Sequence, residues 1–190
     1  MSEAVYIAEF RNISQGIGVL DKMLKQSGVF LMHATPICIG KYLICVGGDV
    51  ADAREAQKAA EEPEEQDSRI SGYLLTGAHP AILAYFKNPN ESMGSGFVSD
   101  AMGVFETRNA AAGFISLDAA LKNSQVELRR LWLGNFLGGK FCYVLSGSTD
   151  DVRSALKAAA FAVSEKEQVG QRLILSPDDT IVNLFTKGGA

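Results

Sequence analysis

The stretch that decides the fold is AVYIAEFRNISQGIGVLDKMLKQSGVFL at residues 4–31, because residues 101–128 repeat it as AMGVFETRNAAAGFISLDAALKNSQVEL. The two align without a gap at a spacing of 97 residues, and 12 of the 28 positions are identical. Among these are Glu9/Glu106, Arg11/Arg108, Asn12/Asn109, Gly16/Gly113, Asp21/Asp118 and Lys25/Lys122. Solenoid units run roughly 20–50 residues, so so long a period marks a duplicated domain, each copy large enough for a small core of its own. The 190-residue chain divides accordingly into a first domain at 1–88, a linker at 89–96 within the polar run NPNESMGSG, and a second domain at 97–190.

Within one copy the patterns alternate in a fixed order. Residues 4–11 form an apolar, strand-like run. Ser14 is placed to cap the helix that follows; Ile17, Leu20, Met23 and Leu24 share one of its faces, and Gly28 ends it. Val29–Thr35 reads as a strand, Pro36–Gly40 as a break and Lys41–Val46 as the next strand. After a turn at Gly47-Gly48, Asp49 caps a second helix through about Ala60, and EEPEEQD at 61–67 reads as a solvated loop. A fourth strand at Ile70–Thr76 precedes a short helix opened by His79-Pro80. The second copy repeats this order, with two extra residues before Lys140. Strand-helix-strand-strand-helix-strand is the split βαβ, or ferredoxin-like, pattern: an α+β fold with one antiparallel sheet per copy and helices on a face.

Composition narrows the function classes. Hydrophobic residues make up 47% and charged residues 21%, as in ordinary globular proteins, and the net charge of −4 provides no basic field for nucleic acid. No apolar run approaches the ~18–20 residues of a membrane helix, and no secretory signal opens the chain. Three cysteines without a close pair, Cys38, Cys45 and Cys142, suit a reducing cytoplasm. Catalytic signatures do not emerge: His33 and His79 stand in unrelated contexts, and metal-ligand spacings, a nucleophile elbow and a phosphate loop are all missing. The matched carboxylates Glu9 and Glu106 are read as residues that packing requires. An enzyme is therefore not expected.

The phrases E-x-R-N…LD-x-x-LK-x-S-x-V, found in both copies, and the Gly-Lys that closes the loop after each second strand resemble those of bacterial microcompartment shell proteins. The resemblance spans both halves and is to the tandem-domain class. TPICIGK at 35–41, GGD at 47–49 and AHPAIL at 78–83 are most similar to the T-type shell proteins of propanediol-utilisation compartments. It implies that three chains form a pseudohexagonal tile, located in a microcompartment shell in the cytoplasm. The loops after the second strands would face a central pore, lined by Ile37, Cys38, Ile39 and Gly40 from one copy and Phe136, Leu137 and Gly138 from the other. Lys25 and Lys122 would lie at the tile edge, where neighbouring tiles meet.

T-type relatives carry an iron–sulfur cluster at the pore on a cysteine of this loop. The resemblance thus implies Cys38 as the metal ligand, with one [4Fe–4S] cluster per trimer held by three copies of Cys38. Leu137 stands opposite Cys38 in the second copy, and Ile39 follows the cysteine where cluster-binding relatives have proline. The partners implied are further copies of the chain, other shell proteins and redox enzymes inside or outside the compartment; nucleic acid and membrane are not among them. The competing class is a cytoplasmic ligand-sensing or regulatory protein built on duplicated ferredoxin-like domains.

Overall fold

A run buried along its whole length, as Ala4–Phe10 (β1) is, fits an inner strand with both faces covered. In the computed structural model, which describes residues 4–38, 40–87, 100–133 and 138–186, β1 is indeed internal. The linker 89–96 lies outside the described residues. The elements follow in the expected order: Ile13–Gln26 (α1), Phe30–Ile37 (β2), Lys41–Gly48 (β3), Val50–Ala60 (α2), Arg69–Thr76 (β4) and Pro80–Lys87 (α3). The second copy repeats them as Ala101–Thr107 (β5), Ala110–Asn123 (α4), Glu127–Leu133 (β6), Phe141–Gly147 (β7), Thr149–Ala162 (α5), Gln168–Leu175 (β8) and Asp179–Thr186 (α6). The sheets are ordered β2-β3-β1-β4 and β6-β7-β5-β8, antiparallel throughout.

Contacts gather the chain into two units that trade short segments. Among the described residues the first holds 4–38 and 40–78 together with 109–111 and 138–139; the second holds 79–87, 100–108, 112–133 and 140–186. In the first unit Tyr6, Ala8 and Phe10 alternate toward one face of β1, where they pack with Tyr42, Ile44 and Val46 of β3, Val19 and Met23 of α1, and Ala56 and Ala59 of α2. In the second, Gly103 faces Val152 and Leu156 of α5. Alternation turns Met102 and Val104 to the reverse face, which receives Val182 and Phe185 of α6, with Trp132 edge-on to Phe185 at 5.7 Å.

Several local expectations shift for physical reasons. Asn12, not Ser14, caps α1: its side chain accepts from the Gln15 amide at 3.0 Å, so the helix starts two residues earlier. Pro36 does not break the strand, because β2 is an edge strand where a missing donor costs no ladder bond. Gly47 and Gly48 belong to β3, packed against Met32 and Val29, so an added Cβ would crowd those side chains. The acidic run 61–67 forms a short 3-10 turn at Pro63–Glu65, and Lys22 of α1 ion-pairs with both Glu62 and Glu64.

The repeated glycine of the first helix has a packing cause. A Cβ at Gly16 would lie 2.8 Å from Tyr42 Cβ, and one at Gly113 would lie 2.2 Å from Phe141 Cγ. Both helices thus lie directly on an aromatic ring of the neighbouring strand, and only glycine permits that approach. Gly113→Ala is expected to lower stability by about 2 kcal/mol through overpacking, against the roughly 1 kcal/mol that alanine normally gains in a helix. Urea unfolding of the variant beside wild type measures it.

Candidate functional site

The loop after β2 is short and closed by a glycine that no other residue replaces without strain. Ile37 is buried at the end of β2, Cys38 is half-buried in the turn, and Gly40 is exposed with φ +72°. Ile39, Phe136 and Leu137 lie outside the described residues. In the second copy Gly138 (φ +65°) and Gly139 (φ +80°) close the corresponding loop, so the two extra residues there come with a second left-handed glycine. A Cβ on Gly139 would lie 3.0 Å from Lys41 Nζ, which places the two loop closures of the first unit beside each other.

Each closing lysine reaches the repeated glutamate. Lys41 Nζ is 3.7 Å from Glu9 Oε2, and Lys140 Nζ is 2.9 Å from Glu106 Oε1. Glu9 does more than this. Its side chain is fully buried, and its Oε1 accepts from the backbone amides of Ala110 and, at 3.3 Å, Ala111. Glu9 therefore satisfies two of the orphan donors at the start of α4, where a negative charge is favoured. Burial pushes the Glu9 carboxyl above its usual range, with Lys41 and the two amides opposing that rise. Sequence reasoning placed Glu9 as a packing residue but missed this pairing. The available signal was that Glu and Lys recur together at matched positions.

The three thiols differ sharply. Cys45 is buried in the inner strand β3, its thiol pushed well above the ordinary value by burial and then by the charge of Glu9. Cys142 on β7 is raised to about 11, by burial first and the Glu106 charge second, against Lys140. Both are held as neutral, poorly nucleophilic thiols. Cys38 is the loop cysteine. Among the described residues no three His, Cys, Asp or Glu side chains gather to hold a metal within one chain.

Lys25 and Lys122 both occupy the last turn of a helix, where a cation complements the dipole. Lys25 pairs with Asp21 at 2.7 Å on an exposed surface, and Lys122 pairs with Asp118 at 2.5 Å. Asp118 also accepts the His79 amide at 2.8 Å, while His79 Nδ1 accepts from Ala81 and so starts α3, as its position before proline suggested. Lys122 lines a shallow groove between α4 and α5 together with Lys157 and Phe161, whose ring is 95% exposed. His33 sits on the edge strand β2, its pKa lowered by partial burial.

The BMC-domain family model matches this chain twice, at residues 4–75 and 101–177. The chain is similar to the bacterial microcompartment shell protein PduT of Citrobacter freundii, 31% identical over 92% of each chain. It superposes on a microcompartment protein from Desulfitobacterium hafniense with a TM-score of 0.82 and 29% identity, over 96% of this chain and 99% of that one. A fused permuted hexameric shell protein, MSM0275 from the RMM microcompartment, shares the fold with a TM-score of 0.63 at 20% identity, over 83% and 82% of the two chains. No described helix is long and apolar enough to cross a membrane.

Glu9 gives the site a testable energetic signature. Glu9→Ala leaves two buried amides without an acceptor and is expected to cost about 1–3 kcal/mol. Glu9→Gln keeps an acceptor but cannot ionise. The folded-state pKa of Glu9 lies above its unfolded value, so the folded chain holds that proton more tightly and this contribution to stability is lost as pH rises through the folded value. The urea midpoint of Glu9→Gln relative to wild type should therefore rise between pH 4 and pH 7.

Proposed function

The chain belongs to the BMC-domain family, and from that premise we propose that it is a structural tile of a bacterial microcompartment shell, in which three chains place six domains around a central pore. The observation that carries this reading is the duplicated BMC domain, which occupies most of the chain and aligns end to end with a shell protein. Six domains close a ring from three chains, and closed cyclic assembly is the common solution for homo-oligomers. Sedimentation should give about three chains per particle; a stable monomer at micromolar concentration overturns the reading. Flat sheets at high concentration distinguish a tile from a sensor of the same fold, which stays a discrete oligomer.

Edge contacts come from the helix-end lysines. Lys25 is exposed and paired with Asp21 one turn back, and its ammonium has further protons to donate to carbonyls of a neighbouring tile. Lys122 stands beside the exposed Phe161, an apolar side chain suited to burial at a tile-to-tile contact. Lys25→Ala and Lys122→Ala are expected to leave the trimer folded, within about 0.5 kcal/mol of wild type, and to slow sheet formation seen by electron microscopy. Sheets that form as readily as wild type remove both residues from the edge.

The pore reading assigns Ile37, Cys38, Ile39 and Gly40, with Phe136, Leu137 and Gly138, to the axis. The donor set fits an iron–sulfur cluster: Cys45 and Cys142 are tied up in strands as neutral thiols, while Cys38 lies in a loop and is multiplied to three by the threefold axis. Such clusters are held by thiolates, usually four, so three copies of Cys38 would hold one [4Fe–4S] and leave one iron for another ligand. When bound, the cluster supplies one-electron transfer across the shell, to redox enzymes on either side. Cys38→Ser should abolish the brown colour and broad absorbance that follow anaerobic reconstitution, with the trimer intact. Cys45→Ser should keep the cluster and lose stability instead. Wild-type protein that takes up no iron removes the redox role and leaves the tile.

A further inference from the structure

We propose that neighbouring chains are locked by a repeat-shifted copy of two contacts that each chain already makes within itself: Glu106 of one chain caps the N-terminus of α1 of the next, and α6 of the first covers the apolar face of that same α1. This rests on the trimeric reading above and adds to it the residues through which one copy recognises another.

The template is internal. Glu9 accepts from the amides of Ala110 and Ala111 at the start of α4. Moved by the 97-residue repeat, the equivalent carboxylate is Glu106 and the equivalent amides are those of Ile13 and Ser14 at the start of α1. Each half of that second contact is present and unfilled. Glu106 is 33% exposed where Glu9 is fully buried, and its contact is with Lys140. The amides of Ile13 and Ser14 have no hydrogen-bond partner among the described residues, and Ile13 is exposed where Ala110 is buried.

An independent observation concerns the helix face. In the second unit Phe114 of α4 is fully buried beneath α3, with ring centroids 5.0 Å from Phe86 and 6.4 Å from Tyr85. The equivalents of Phe114 and Tyr85 are Ile17 on α1 and Leu184 on α6. Both are exposed, 52% and 60%, and Ile13, Leu24 and Ile181 are exposed with them. The His79 amide donates to Asp118 beside this contact; its equivalent is the Asp178 amide donating to Asp21. Each chain thus carries an unfilled socket on α1 and an unfilled plug on Glu106 and α6. A socket on the first unit and a plug on the second make a head-to-tail contact between copies, which gives a closed ring when the rotation from one copy to the next closes and a filament when it does not.

Two measurements test this. In a Cys38→Ser background, Ile17→Cys combined with Leu184→Cys should oxidise to covalent trimers on a non-reducing gel, whereas each single substitution should not. Glu106→Ala should weaken trimer association at least tenfold by sedimentation with the circular dichroism of the fold preserved, and Glu106→Gln, which keeps an acceptor, should restore most of it. A wild-type trimer that neither cross-links through this pair nor responds to Glu106→Ala overturns the proposed contact and leaves the trimeric tile standing. A monomeric wild type overturns the tile itself.

Discussion

One carboxylate sets terms for much of this chain. Glu9 is buried without exposure, on an inner strand where it pairs with Leu43 of β3 and Ser71 of β4. A buried carboxylate needs hydrogen bonds or a paired charge to offset its lost hydration. Here one oxygen takes two amides from the first turn of α4 and the other faces Lys41, the residue that closes the loop after β2. The same group therefore ties the start of a helix to the end of the loop after β2. A register shift in the pairing of β1 with β4 falls at Glu9/Phe10, and one in β5 with β8 falls at Glu106/Thr107. Such irregularities re-aim side chains, and both copies place theirs at the glutamate.

The duplication is exact in pattern and unequal in environment. Gly16 and Gly113 press their helices onto Tyr42 and Phe141 in the same way. Asp21–Lys25 and Asp118–Lys122 repeat one ion pair, but the second carboxylate is buried and engaged by His79 while the first is open to solvent. Ile17 is exposed where Phe114 is covered. These differences follow one rule: wherever the second copy's helix is covered by residues of the same chain, the first copy's helix is bare. A single chain is thus half of a repeating pattern.

Much of this was legible in the sequence. The ungapped repeat and the alternation of strand-like and helix-like runs gave the order of elements, because buried strands and amphipathic helices impose distinct periods. The cap at Asp49 and the helix start at His79-Pro80 were readable because both are local signals. Pro36 misled because a proline does not announce whether its strand lies at an edge, and Gly47-Gly48 misled because close packing and turning both select glycine. The role of Glu9 was beyond reach: its partners stand 101 and 102 residues away, and no spacing rule connects a strand carboxylate to a helix start at that distance. Of the loop residues, the left-handed glycines were foreshadowed by the repeated Gly-Lys, and the contrast among the three thiols by the strand-like runs that hold Cys45 and Cys142.

The reach of Glu9 also bears on the order in which the chain can finish folding. Strands β1 to β4 and their two helices are complete in the first 78 residues, but the acceptor buried among them meets its donors only when residues 110 and 111 exist. Contacts of such sequence separation slow folding, since a long loop must close before they contribute. On a ribosome the first copy would emerge whole and wait, its sheet holding an unanswered carboxylate, until the second copy's opening turn arrived. Severing the duplicated gene into two single-domain halves would turn that wait into a search between separate molecules, with association at a cost that the covalent tether now removes.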